Sequence, residues 1–164
     1  MRPLKDTGNA AATFDRALRE VAKSRLEPLG YKFDGRRTFR RSVAAGRCAQ
    51  IVNFQLGQRS LQGRFAVNLG VFIAGRDSAP ADVTVENVME YHCPAERRQR
   101  LGLLMPRASE ALERFPGIGI LFGRKDKWWP FSADAASTQV RLREATDAIE
   151  RYGLPWIEQV SLSS

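Results

Sequence analysis

The sequence has one histidine, two cysteines and only five lysines in 164 residues. The shortage of histidine and cysteine excludes a good deal of chemistry. A structural zinc site needs four nitrogen or sulfur ligands at characteristic spacing. His92, Cys48 and Cys93 supply no Cys-x-x-Cys pair and no second histidine. The same count rules out a disulfide framework. His92 and Cys93 are adjacent, and adjacent side chains on a strand point to opposite faces, so a Cys–His nucleophile is not set up. No Gly-x-Ser-x-Gly elbow brings a serine to the lone histidine, and Gly117-Ile118-Gly119 is not followed by the Gly-Lys-Ser/Thr of a phosphate loop. Paired carboxylates at a strand end are missing too; Asp126 and Asp134, which flank the tryptophans, are the nearest approach to such a pair. No metal and no cofactor are expected, and no catalytic residue stands out.

Long hydrophobic runs are also absent. The best, residues 65–74, contains Asn68 and falls well short of the roughly 18 apolar residues of a membrane span. The opening residues carry no apolar stretch of the kind a secretory signal needs. With 43% hydrophobic and 27% charged residues, the chain can nevertheless bury a core, and its length suits a single one. The expectation is a cytoplasmic, bacterial-type protein with no membrane association.

Charge is plentiful and its balance is strongly basic, 26 lysines and arginines against 18 acids. The formal net charge is +8 and the pI near 10.2. Arginine dominates, the side chain best suited to two-pronged hydrogen bonds with phosphate or carboxylate. Between Arg16 and Arg47 there are ten basic residues, whereas from Asp134 onward five acids face three bases. Such asymmetry points to an anionic partner for the N-terminal half, or else to a solvated arginine-rich surface.

Periodicity outlines an α+β fold. Residues 1–9 read as a flexible lead and 10–160 as a single domain. Asn9 or Thr13 would cap a first helix carrying Phe14, Leu18, Val21, Arg25 and Leu29 at helical spacing, with Gly30 as its stop. Residues 38–45 and 48–58 form a hairpin around Ala45-Gly46-Arg47. In the next strand, Phe65, Val67, Leu69, Val71 and Ile73 occupy one face at strict period two, and Ala66, Asn68, Gly70 and Phe72 the other. These three strands make an antiparallel meander whose Phe65 face packs against helices led by Phe14 and Leu142. Further along, 75–83 reads as a loop, 85–92 as a weak strand, 106–115 as a short helix and 116–119 as a turn. Residues 125–131 form a strand or tight loop. A last helix over 135–152 presents Leu142, Ala145, Ile149 and Tyr152, and ends at Gly153 before Pro155, with Trp156 and Ile157 packing the tail.

Polar residues interrupt these apolar strands. Asn53 and Gln55 share one face of the second strand, and antiparallel pairing can bring Asn68 beside them. Buried amides need partners, so they either bond to neighbouring backbone and arginines or line a groove. Of Trp128 and Trp129, adjacent and therefore divergent, either one packs in the core and one stays partly exposed, where it could anchor a ligand, or both pack in the core.

The ordered set Gly30-Tyr31-Lys32, Thr38-Phe39-Arg40-Arg41, Ile51-Val52-Asn53-Phe54-Gln55, Arg64-Phe65-Ala66-Val67-Asn68-Leu69-Gly70-Val71, Arg98-Gln99-Arg100-Leu101-Gly102 and Trp128-Trp129 resembles a bacterial family of uncharacterised domains, DUF4304. The resemblance spans nearly the whole chain, from about Phe14 to Trp156. It implies family positions at Arg41, Asn53, Gln55, Asn68, Gly70, Arg98, Arg100, Gly102, Trp128 and Trp129. In one respect the chain departs: the cysteine expected close before Arg-x-Arg is here Cys93, separated from it by Pro94-Ala95-Glu96-Arg97. The family carries no activity to transfer.

Three functional readings follow. The first is a non-catalytic binding module, such as a toxin-neutralising or other small regulatory partner protein. Its groove would lie over the sheet face bearing Asn53, Gln55 and Asn68, charged by Arg41, Arg98 and Arg100 and walled by Trp128 or Trp129. Its ligand would be a protein partner or an anionic molecule. The second is weak nucleic-acid or polyanion binding by the basic N-terminal half, with Phe39, Tyr31 and a tryptophan stacking on bases. The third is an enzyme of unrecognised type acting on an anionic substrate.

Overall fold

Strict alternation along residues 65–73 dictates a strand with one apolar face, and a computed structural model describing residues 5–106 and 126–163 contains that strand as its centre. The sheet comprises β1 (Lys32–Phe33), β2 (Thr38–Val43), β3 (Cys48–Leu56), β4 (Arg64–Ile73), β5 (Arg98–Arg100) and β6 (Trp129–Pro130). The order is β1-β2-β3-β4-β5, every pair antiparallel, and β6 pairs with β4 at Arg64 and Phe65. Phe65, Val67, Leu69 and Val71 are fully buried in one cluster with Phe14 and Leu142, as the alternation requires. This is an α+β fold, with the first and last helices on one face of the sheet.

The N-terminal helical segment starts at Lys5, ahead of the Asn9 or Thr13 cap suggested by the sequence. It runs through α1 (Lys5–Leu18), a π-helical turn (Arg19–Lys23), α2 (Ser24–Leu26) and a 3-10 turn (Glu27–Leu29). Gly30 ends it in the left-handed conformation, φ 90°, as expected. Through the π turn the buried stripe runs Leu18, Val21, Ala22 and Leu26. Arg25 and Leu29, placed on the stripe by a regular α repeat, lie beside it: Arg25 is drawn to Glu150 and Asp147, and Leu29, in the closing 3-10 turn, is exposed.

Two other expectations change. The final helix does not stop at Gly153: α4 (Ala135–Ala148) passes through a π turn (Ile149–Gly153) into α5 (Leu154–Leu162). Gly153 marks close packing instead, since a Cβ there would sit 3.3 Å from the side chains of Leu101 and Leu69. Pro155 sits at the start of α5, directly after the π turn, where its missing N–H leaves one gap in the ladder of a helical segment that continues through it. Nor is 85–92 a strand. Val85 and Val88 are buried three residues apart, and the backbone bonds to itself locally: Val88 N–H to Thr84 O, His92 N–H to Met89 O in a 3-10 turn, Glu90–His92. The Asn87 side chain ties Thr84 N–H and Asp82 O into the same turn. Arg98–Arg100 is β5, and a single helical turn, α3 (Leu101–Leu104), follows it. The helix expected over 106–115, except for Pro106, and the turn at 116–119 lie outside the described residues. Among the described residues no helix is long and apolar enough to cross a membrane.

The segment between β4 and β5 covers part of the second sheet face. Val85, Val88 and Cys93 pack there on Ala49, Ile51 and Phe72. Arg40 clamps it through Nε–H to Val88 O, 2.5 Å, and an Nη2 contact of 2.9 Å to Met89 Sδ. A buried Arg97–Asp77 ion pair ties its ends together, with Asp77 also accepting from Ile73 N–H at 2.7 Å. Gly70 makes the approach feasible. A Cβ at this position would lie 2.9 Å from Cys93 Sγ and 3.2 Å from Glu90 Cα. Gly70→Ala is therefore expected to cost about 1–3 kcal/mol, read as a lower urea midpoint, and to speed labelling of Cys93 by a thiol reagent. A wild-type midpoint and labelling rate would contradict this packing.

Candidate functional site

The register of four strands builds a polar row on the face opposite the helices. Thr38 pairs with Asn53, Asn53 with Asn68, and Asn68 with Arg100. Their side chains form one hydrogen-bonded chain, and its direction is fixed from its ends. Arginine can only donate, so the carboxamide oxygen of Gln55 must face Arg100 Nη1, 3.0 Å away. Asn68 then donates through Nδ2 to Gln55 Oε1 at 3.0 Å and to Asn53 Oδ1 at 3.2 Å. Asn53 Nδ2 donates to Thr38 Oγ1 at 2.9 Å, and the Thr38 hydroxyl points to Met89 Sδ at 3.8 Å. Asn53 is buried at the centre of this chain. The polar residues in the strands are thus bonded to one another, and the chain opens at one end into a groove.

That groove, about 310 Å³ and open to solvent, is lined by Gln55, Asn68, Glu90, Tyr91, Arg98 and Arg100, with Leu69 and Gln99. Arg100 is held on three sides. Its Nη1 meets Gln55, its Nε lies 3.1 Å from Asp126 Oδ2, and its guanidinium sits 5.0 Å from the centroid of the half-buried Trp128 ring. Gly102 permits this arrangement, because a Cβ there would collide with Lys127 N at 2.2 Å and Asp126 Oδ1 at 2.5 Å. Arg98, exposed on the same face of β5, has no acid partner among the described residues and reaches only Tyr91 O, at 3.4 Å. Tyr91 is itself exposed, and its ring is tilted against that of His92, 4.4 Å between centroids.

Six of the eight residues singled out from the sequence lie in or beside this groove: Asn53, Gln55, Asn68, Arg98, Arg100 and Trp128. Arg41 and Trp129 do not. Arg41 has the opposite parity on β2 from Thr38 and Arg40, so it lies on the helix face. There it bonds Gln50 Oε1 at 2.7 Å and Leu29 O at 3.1 Å, pairs with Glu158, and covers the Tyr31 ring. Trp129 is buried and stacks on Phe65, 5.6 Å between centroids, because β6 directs it into the helix-side core. Asp126 and Asp134 do not pair; Asp134 caps α4 by accepting from Ser137 N–H at 3.0 Å. Tyr31 and Phe39 are buried and present no ring for stacking. Sequence reasoning missed Glu90 and Tyr91, which reach the site only through the irregular segment packed over Gly70. The glycine in mid-strand was the one available signal.

Burial of the Glu90 carboxyl outweighs the pull of Arg100, Arg40 and His92 and holds its pKa above the ordinary 4.5; one of its oxygens is buried without a partner. Asp126 is also raised, burial exceeding the effect of Arg100 and the Trp128 hydrogen bond. The Cys93 thiol is pushed up to about 12 by burial and by Asp77 and Glu90, so it stays protonated. Among the described residues, no group of three His, Cys, Asp or Glu side chains could hold a metal ion.

Much of the N-terminal basic excess is met by carboxylates elsewhere in the chain. Arg25 bonds Glu150 and Asp147 on the last helical segment, Arg37 takes Asp15, Arg40 lies 3.6 Å from Asp34, and Arg41 takes Glu158. The uneven distribution of charge along the sequence is in part a record of which helix packs beside which strand.

Fold and site together define an α+β domain with a polar, arginine-bearing groove on one sheet face, at the end that the described residues leave open. A family model described as "Domain of unknown function (DUF4304)" matches residues 22–159, and the chain belongs to that family. No curated protein and no solved structure matches it.

Asn68 donates to two acceptors, one on buried Asn53, so Asn68→Ala is expected to cost about 1–3 kcal/mol in thermal or urea unfolding. Arg100→Ala, which frees the exposed Gln55, should cost less. Equal, large losses would show that the row is purely structural. For Glu90→Gln the sign follows from the raised pKa: charging Glu90 opposes folding, so the native protein loses stability as pH rises through the folded-state pKa. The variant should melt higher than the native protein at pH 7. That difference should close below about pH 4.5, the ordinary carboxyl value.

Proposed function

We propose that this chain is a binding module whose groove takes a ligand bearing an anionic group. The observation that carries the reading is the state of the two arginines on β5. Arg100 is immobilised by Gln55, Asp126 and Trp128, and Arg98 stands beside it without an acid partner among the described residues. An arginine already held in place loses less conformational freedom when a ligand arrives, and an uncompensated neighbour supplies the charge. A binding role fits better than catalysis here because the polar groups of the floor are engaged with one another in a fixed orientation. The ligand would belong to the anion-bearing class, of which a segment of a partner protein is one member. For nucleic acid, a net charge of +8 by itself supports weak, salt-sensitive association that fades near physiological ionic strength.

The test is an NMR titration of the protein with sodium acetate and, separately, inorganic phosphate, following the Nε–Hε signals of Arg98 and Arg100. Saturable shifts at these two arginines are expected. Arg98→Ala should weaken the response of Arg100 about tenfold or more while leaving the melting temperature nearly unchanged, because Arg98 is exposed. Shifts spread evenly over all exposed arginines, or none at all, would overturn the reading.

A further inference from the structure

Among the described residues, the groove wall carries one acid and one base with no ion-pair partner, Glu90 and Arg98. The other arginines near Glu90 are engaged elsewhere. Arg40 goes to Asp34, Val88 O and Met89 Sδ, and Arg100 to Asp126 and Gln55. Arg98 reaches backbone instead, its Nη1 lying 3.4 Å from Tyr91 O. That carbonyl belongs to the residue next to Glu90, so the guanidinium stands beside the acid's own segment without pairing with the acid. Glu90 Oε2 is buried and has no hydrogen-bond partner among the described residues. The backbone sets this relation. Glu90 packs over Gly70, where an added Cβ would lie 3.2 Å from its Cα, and Arg98 is the residue opposite Gly70 on β5.

We propose that the groove takes a free amino acid, whose carboxylate goes to Arg98 and Arg100 and whose ammonium goes to the Glu90 carboxylate. The proposal rests on the anion-binding reading above and narrows it to a zwitterion. A ligand bearing only negative charge meets Glu90 as well as the arginines, and that repulsion cancels part of what the arginines contribute. An ammonium on the same ligand turns the repulsion into a charge-assisted hydrogen bond. It also offsets a cost already present in the free protein, where burial of the Glu90 carboxyl makes its ionised form unfavourable. The spacing of the charges agrees with this ligand. Arg98 contacts the residue adjacent to Glu90, and an α-amino acid carries both charges on a single carbon. A peptide separates its terminal charges by a further 3.3–3.6 Å or so for every added residue of extended chain. The groove, about 310 Å³ and with the exposed Tyr91 among its walls, is of the size that small molecules occupy.

The experiment uses the full chain and four probes at pH 7 and constant ionic strength: glycine, N-acetylglycine, sodium acetate and 4-aminobutyrate. Binding is read from the Nε–Hε signals of Arg98 and Arg100 together with the side-chain carboxyl carbon of Glu90. Glycine is expected to bind about tenfold more tightly than acetate and than N-acetylglycine, which lacks the ammonium, and to shift the Glu90 signal along with both arginines. In Glu90→Gln, which keeps the shape of the side chain and removes its charge, the preference for glycine over acetate should fall about fivefold or more. A melting temperature no lower than that of the native protein shows that the variant is folded. If acetate moves the arginines as tightly as glycine does, or if Glu90→Gln keeps the full preference, the amino-acid inference fails and the anion-binding reading stands. If no probe moves the arginines, both fail. Tighter binding of 4-aminobutyrate than of glycine would overturn the amino-acid assignment in favour of a longer zwitterion.

Discussion

The constraint on which this protein depends is the pairing of β3 with β4 in one register. Nine residue pairs, from Cys48 with Ile73 to Leu56 with Phe65, run the length of both strands. A slip of one residue would turn Phe65, Val67, Leu69 and Val71 out of the helix-side core and drive Asn68 into it. The apolar side chains thus fix the register, and the register in turn sets Asn53 opposite Asn68. The polar row is a consequence of hydrophobic packing on the other side of the sheet. Thr38 and Arg100 join it because β2 and β5 add to this central pair by the same alternation.

Two glycines turn that row into a site. Gly70 lets the irregular segment lie close enough to β4 for Glu90 and Tyr91 to form one wall, and Gly102 lets residues 126–128 close on Arg100 from another side. Neither glycine needs an unusual backbone angle; each is required for the missing Cβ. The cost is visible in the raised carboxyls of Glu90 and Asp126, each half-buried beside arginines whose attraction does not fully offset the loss of water. A groove built this way holds its charges in place before any ligand arrives.

The arginines divide into two populations by their partners. Arg25, Arg37 and Arg41 pin helices to one another or to the sheet, while Arg40 and Arg97 pin the covering segment. The buried Arg97–Asp77 pair belongs with these clamps: removing one partner of such a pair is costly even where the intact pair adds little net stability. Arg98, exposed on β5, stands apart from this group. The functional reading rests on that difference rather than on the overall charge.

The sequence by itself determined the α+β class, the antiparallel meander, the buried face of β4 and the grouping of Asn53, Gln55 and Asn68. These follow from period-two alternation and short connections, which are local and repeat many times. It left open whether one or both of the adjacent tryptophans are buried; β6 pairing with β4 at Phe65 puts Trp129 in the core and leaves Trp128 half-buried. Only the tertiary structure decided that Arg41 belongs to the helix side. Parity along β2 was readable, but which parity faces the helices depends on the partner strand. Only it placed Glu90, Tyr91 and Asp126 beside the row, since they arrive on irregular segments packed against a missing Cβ far off in sequence, Gly70 on β4 for the first two and Gly102 in α3 for the third. And only it decided which arginines are paired, because ion pairing here includes contacts between residues more than a hundred positions apart, such as Arg25 with Glu150 and Arg41 with Glu158. Periodic burial is written into neighbouring residues; the pairing of charges is settled when the helices dock.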